Sequence, residues 1–342
     1  MPLDMAAARA MLDEIHEELP VQLNDHNAYT LGAVGKHNVV IASLPGDEYG
    51  TPSATTVAMQ LLSSFHSIRF GLMVGTGGGV PNSHADIRLG DIVVLTGGNF
   101  QRIGMLSRPS QILLTASSKL RANHLLEGSR VPQFLENLNE KYSRQPLNFR
   151  RPEEEDRLFE AAYDHVLSTG TCQPCDTSKI VSRPERDYDS PAIHYGLIAS
   201  GNKVIQDGIL RDRLSQELGI YCVDMEAAGL INNFPCLVVR GICNYADSHK
   251  NDAWNGYTSA AAAAYAKDLL LVTTIAHAES KPTTSEGMSD LERLRAQLEF
   301  SRIPAISQFP RREDDLDHVW EIEHPQDFAM GKVNALRGLG ER

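Results

Sequence analysis

The sequence predicts an α/β fold, a three-layer sandwich whose helices cover both faces of a central, mainly parallel mixed sheet. Three observations carry that expectation. Strand-like and helix-like runs alternate through most of the chain. The strand-like runs are continuously apolar, as in strands buried on both faces. Several of them end in glycine or polar side chains, which such a sheet gathers along one rim.

In order, Met5, Ala8, Leu12, Ile15 and Leu19 recur at helical spacing and predict a helix over 3–18. "NVVIASL" (38–44) reads as a strand, and a helix over 53–65 follows with Ser53 as N-cap behind Thr51 and Pro52. "RFGLMVG" (69–75) and "DIVVLT" (91–96) are the next strands, with a helix over 111–128. Residues 129–190, with "RRPEEED" and "SRPERDYDSP", read as a polar surface excursion that includes a helix over 153–168. Strands over 194–200, 221–224 and 235–241 then alternate with helices over 206–217, 225–233 and 258–278. Past Glu279 the text changes to "SKPTTSEGMSD", a linker composition. The expected division is a domain over 1–280 and a linker or tail over 281–342.

Composition narrows the function classes. Of 342 residues, 42% are hydrophobic, which suits a full globular core. A net charge of −12 with no long Lys/Arg run argues against a nucleic-acid partner, which needs a basic face. No apolar run reaches the roughly 18 residues of a membrane span. Asp4 stands where a signal peptide would be basic, so the expected location is cytoplasmic. Among five cysteines, Cys172 and Cys175 form a lone CxxC. Zinc takes about four ligands and no second pair exists, so two reduced thiols, no metal and no cofactor are expected.

Four stretches hold candidate chemistry. "MVGTGGGVPNSHADIRLGD" (73–91) puts glycines directly after a strand, either as a plain turn or as backbone N–H groups aimed at a polar ligand. It fits neither GxGxxG nor a Walker loop. "VDMEAAGL" (223–230) sets Asp224 and Glu226 at a strand-to-helix junction. They are either dipole-favoured acids at a helix start or a carboxylate for paired hydroxyls, with at most one of the two in a site. "HYGLIASGNKVIQD" (194–207) follows Gly201 and Asn202 with Val204 and Ile205, apolar groups that either stack on a flat base or begin a helix. "RGICNYADSHKN" (240–251) ends an apolar run in Asn244, Asp247 and His249.

Together these stretches resemble the purine nucleoside phosphorylase and uridine phosphorylase superfamily over roughly 1–280. The mechanistic branch they are most similar to is that of the methylthioadenosine/S-adenosylhomocysteine nucleosidases. The wording "HNVVIASLPGDEYGTPSA", "GLMVGTGGGVP", "PAIHYGLIASGN" and "RGICNYADSHKN" resembles the fungal form of that domain, found at the front of NACHT- or NB-ARC-type chains. The resemblance implies a glycine loop over Gly75 to Gly79 lining ribose and nucleophile, with Thr76, Gly77 and Gly78 at the substrate. It implies that Glu226, beside Met225, holds the ribose 2′- and 3′-hydroxyls. It places Gly201, Asn202 and Val204 at the base, with Val204 where an aromatic ring is common. Asp4 takes the place of the glutamate that activates water. "FPRREDDLDHV" and "KVNALRGLGER" resemble the run-in to the ATPase module, with Gly338 and Gly340 but no P-loop lysine, so these residues would not bind ATP by that route.

The nucleosidase branch carries aspartate at the position of Asn244. That acid protonates purine N7, and general acid catalysis is worth about 10²–10⁴-fold. An amide yields no proton, although its NH₂ donates and its carbonyl accepts hydrogen bonds. The phosphorylase branch that prefers 6-oxopurines uses asparagine there. Asn244 therefore means either a shifted base preference or a disabled acid, and the fungal pattern favours the disabled acid. Asp247, three residues on, either substitutes for it or orients the loop.

The expected function is cleavage of the N-glycosidic bond of a purine nucleoside or nucleotide (adenosine- or ATP-like) by water, releasing free base and ribose moiety. Asp4, Glu226 and Asn244 are the candidate catalytic residues. Two alternatives stand beside it: a purine nucleoside phosphorylase, with Arg88 and the glycine loop as phosphate ligands, and a non-catalytic purine-sensing module. The expected partners are the small molecule and further copies of the chain, with no nucleic acid and no membrane.

Overall fold

The computed structural model describes residues 2–274, apart from 21–23, 47, 49, 97–108, 145–148, 167–171, 232–233 and 251. The expected tail over 281–342 lies outside the described residues. Helix α1 spans Pro2–Ala10. A small antiparallel sheet follows, ordered β1 (Glu14–Ile15), β2 (Tyr29–Val34) and β3 (His37–Ala42). Gly35, with φ 57°, makes the two-residue turn between β2 and β3 possible, because a side chain there would be strained.

Helix α2 (Thr51–Ser64) leads to β4 (Gly71–Gly79), then β5 (Ile92–Leu95), α3 (Gln111–Glu127) and α4 (Val131–Lys141). The second half comprises β6 (Ile193–Ser200), α5 (Gly208–Leu218), β7 (Ile220–Asp224), α6 (Ala227–Ile231), β8 (Cys236–Asn244) and α7 (Asn255–Val272).

The main sheet is mixed, and helices lie on both of its faces, as expected. It also curls until its edges meet, in the order β4-β7-β6-β5-β8. β4 and β8 run parallel, and a bulge between Gly77 and Gly78 frees the end of β4 to pair antiparallel with β7. Such bulges bend a strand and release it from its neighbour. On β8, Leu237, Val239 and Cys243 meet α1, α3, α4 and the alanine-rich α7. Cys236 and Val238 meet α2 and α6 on the other face. Burial on both faces explains why β8 reads as an unbroken apolar run.

Several local expectations are corrected. The 38–44 strand belongs to the antiparallel hairpin and not to the parallel succession. The first helix stops at Ala10; Asp13 and His16 then donate backbone hydrogen bonds to Ala33 and Leu31, and Leu12 packs with Val34 and Leu270. Ser53 lies inside α2, whose N-cap is Gly50, and its buried hydroxyl has no partner. Residues 153–166 form no helix, because Phe159 and Tyr163 turn inward onto His249. Three further elements are additional: the short β1, within the span expected as helix, β2, and α4 within the polar excursion. Among the described residues no helix is long and apolar enough to cross a membrane.

Candidate active site

The carboxyl end of β4, the end of β8 and the start of α6 open onto a cavity of about 1260 Å³. The glycine run expected as a loop is strand backbone, paired with β8 from Gly71 to Gly78. None of Gly75, Gly77, Gly78 or Gly79 has a positive φ. Glycine is needed there for close approach: a Cβ at Gly75 would lie 2.6 Å from Arg240 Nη1, and one at Gly77 would lie 2.6 Å from Cys222 Sγ. Thr76, Gly77 and Gly78 line the cavity.

Arg240 organises the wall. It is buried on β8, and its guanidinium reaches Asp224 Oδ2 at 2.6 Å and Glu226 Oε2 at 3.4 Å. Burial disfavours its charge, but Asp224 and Glu226 more than offset that, so its pKa lies above the ordinary value. Burial raises the Glu226 carboxyl, with Arg240 pulling it down and Asp224 pushing it up. Asp224 has no exposed side-chain surface, whereas Glu226 keeps 15%. Both residues border the cavity, but only Glu226 has carboxylate surface open to it. Asp224, at the end of β7, is enclosed behind Arg240 and accepts the Ala227 N–H.

Asp4, in the first turn of α1, comes to the same wall from the far end of the sequence. Ser259 Oγ donates to its Oδ1 at 2.7 Å, and that oxygen would lie 3.6 Å from a Cβ at Gly75. Asp4 and Arg240 therefore meet at one strand position, and Arg240 links it to Glu226.

Asn244 closes β8 on the cavity. Its Oδ1 accepts the Ala246 N–H at 2.9 Å, and its Nδ2 lies 3.3 Å from Cys243 Sγ. Ala246, at φ 52°, takes the left-handed conformation that lets its N–H turn back. Asp247 faces away, in a buried pair with Arg211 at 3.2 Å, and also accepts the His249 N–H. It is held within the loop and is not among the residues lining the cavity.

Met225 and Val204 line the cavity. Gly201 and Asn202 do not: Gly201 N–H donates to the Asp224 carbonyl, and Asn202 Oδ1 accepts from the Thr51 N–H and hydroxyl at the start of α2. Arg88 lies elsewhere too, beside a separate hollow of about 250 Å³. Its guanidinium is paired with Asp86 at 2.6 Å and bonded to the Pro184 carbonyl. Sequence reasoning missed Arg240, Ser259 and Lys250, all cavity-lining. A basic residue inside an otherwise apolar strand was the available signal for Arg240.

Residues 1–274 match the phosphorylase superfamily, and the chain belongs to it. A nucleotide-binding leucine-rich repeat (NLR)-like protein of Hyaloscypha variabilis is 42% identical over 360 aligned residues, which take in 99% of this chain and 34% of that protein. ATP nucleosidase Cap17 of Escherichia coli is 39% identical over 79 residues, 21% of this chain and 16% of its own. The chain thus spans about a third of the first relative and matches less of the second. Among solved structures, the 5′-methylthioadenosine/S-adenosylhomocysteine nucleosidase of Neisseria meningitidis in complex with methylthio-immucillin-A has a TM-score of 0.50 at 12% identity, covering 79% of this chain and 95% of that one. A candidate nucleosidase of the same type from Borrelia burgdorferi B31, bound to adenine, gives 0.51 at 14%, covering 80% and 97%. At these identities the likeness is one of fold.

Proposed function

We propose that the cavity cleaves the N-glycosidic bond of a purine nucleoside or nucleotide with water, and that Asn244 holds its turnover down. The observation that carries this reading is that Asp4 and Arg240 meet at Gly75 and Arg240 reaches Glu226, with Asn244 on the same cavity. Glu226 accepts the ribose hydroxyls through charge-assisted hydrogen bonds. Asp4 takes a proton from water as the water oxygen bonds to C1′. The C1′–N9 bond breaks, its electron pair leaves with the base, and the base takes its proton at N7 from solvent water, which is slower than transfer from a placed acid. Asn244 has its carbonyl engaged by Ala246 and one NH₂ hydrogen directed at Cys243 Sγ, so the second NH₂ hydrogen is what it offers the base. That supports ground-state binding but supplies no proton.

Water is favoured over phosphate by the carboxylates of Asp4 and Glu226, which suit a cationic ribosyl transition state, and by Arg240 being engaged by Asp224 and Glu226. Lys250 also lines the cavity and is a cation that a phosphate would meet. Arg88, the expected phosphate ligand, lies at another hollow. The names of the relatives, a nucleosidase acting on ATP and nucleosidases bound to adenine or a methylthioadenosine analogue, support a purine substrate. A purine-sensing module is the second reading, favoured by the amide at position 244 alone.

The test is incubation with adenosine, inosine and ATP, with and without inorganic phosphate, following free base by chromatography. Slow, phosphate-independent release of base supports the proposal. Release that requires phosphate points to a phosphorylase, and tight binding with no release points to a sensor.

A further inference from the structure

The polar excursion between β5 and β6 carries a second cluster that the proposed reaction does not use. One ring nitrogen of His165 and the sulfurs of Cys172 and Cys175 all lie within 4.8 Å of one another. Tetrahedral zinc, with Zn–S of about 2.3 Å and Zn–N of about 2.0–2.1 Å, places its ligand atoms roughly 3.5–3.8 Å apart. Small side-chain rotations bring the three atoms to that spacing. The Cys175 N–H donates to the Cys172 carbonyl at 3.3 Å, a turn that keeps both sulfurs on one side.

An independent observation points to the same place. His249 has only 3% of its side chain exposed, yet neither ring nitrogen has a hydrogen-bond partner. Burying an imidazole with both nitrogens unmet is costly. Asp247 Oδ1 is 3.8 Å from Nδ1, too far for a hydrogen bond. The ring is stacked on Phe159 at 4.1 Å and lies edge-on to the His165 ring at 5.5 Å. The His249 nitrogens stand outside that group of three, but the ring adjoins His165. A shift toward a metal ion held by His165 and the two cysteines would give one of them the partner it lacks, with Asp247 as the carboxylate behind it.

We propose that His165, Cys172, Cys175 and His249 bind one zinc-class divalent ion, which ties the excursion to the loop that follows Asn244. Two thiolates and two imidazoles select zinc over magnesium or calcium, which prefer oxygen ligands. Binding displaces the two thiol protons, so affinity rises with pH. Its role is structural. The His165 backbone N–H already donates to Ser248 Oγ at 2.9 Å, and the ion would add a second clamp at His249, the next residue.

The test uses the chain as purified without chelator, then stripped and titrated with Co²⁺. One zinc per chain by elemental analysis is expected, with thiolate-to-metal charge transfer and the intense visible bands of four-coordinate Co²⁺. Cys172→Ser and Cys175→Ser should each lose the charge-transfer band or halve it and weaken binding. His249→Phe, which keeps the stack, should weaken Co²⁺ binding about tenfold or more. Circular dichroism checks the fold of each variant, and the titration of the native chain stands without them. A native chain that takes up no Co²⁺ with thiolate bands, or that carries a Cys172–Cys175 disulfide when purified without reductant, overturns the site. Unchanged affinity in His249→Phe overturns the fourth ligand.

Discussion

Asn244 and Glu226 are where single atoms set the chemistry. If Asn244 replaces a catalytic acid, Asn244→Asp should raise turnover on adenine substrates by about 10²–10⁴-fold and change their affinity much less. If it selects 6-oxopurines instead, the same change should impair inosine and leave adenosine little improved. Steady-state rates on both bases separate the two. Glu226→Ala should weaken nucleoside binding by about 10–150-fold, the loss of a charged hydrogen bond worth about 1.5–3 kcal/mol, read by calorimetry. The pH dependence follows from the raised Glu226 carboxyl. The folded state holds this proton more tightly than the unfolded one, so the group costs stability as pH rises past 4.5 and through the raised pKa. Only the ionised form accepts two hydroxyls. Nucleoside affinity should therefore fall as pH drops, beginning above the range of an ordinary glutamate, and a profile in Glu226→Gln should be flat there.

Between elements, Arg240 couples β8 to the end of β7 and the start of α6. It stands in a wall of apolar side chains, and Asp224 would be left buried and unpaired without it. Arg240→Met should cost about 3–5 kcal/mol in urea unfolding, because breaking a buried pair leaves an uncompensated charge. Asp224→Asn with Arg240→Met should recover part of that loss, which a simple packing defect would not allow. This pairing was not legible in the sequence. The strand ends were: "CLVVRGI" is apolar because both of its faces are covered, and its polar continuation does reach the cavity. The glycine run read as a loop, since close approach to Arg240 and Cys222 is a tertiary fact. Helix α4 was hidden in polar text because few of its residues face inward: Val131, Leu135 and Leu138 are buried and Phe134 packs beside them.

At the scale of the whole molecule, the alternation of runs conveyed the layers but not the closure, which depends on a bulge at Gly77/Gly78 and on pairing between strands distant in sequence. It also could not show that Asp4, Glu226 and Ser259, spread from the first helix to the last, share one wall. The central claim is that this assembled wall drives attack by water. The measurement that tests it most directly is cleavage of adenosine and of ATP in ¹⁸O-labelled water, with inorganic phosphate present, by the native chain and by Asn244→Asp. The account predicts free adenine together with ribose or ribose phosphate labelled at C1, in far greater amount from the variant. Unlabelled ribose 1-phosphate products, or no adenine from either protein, would contradict it.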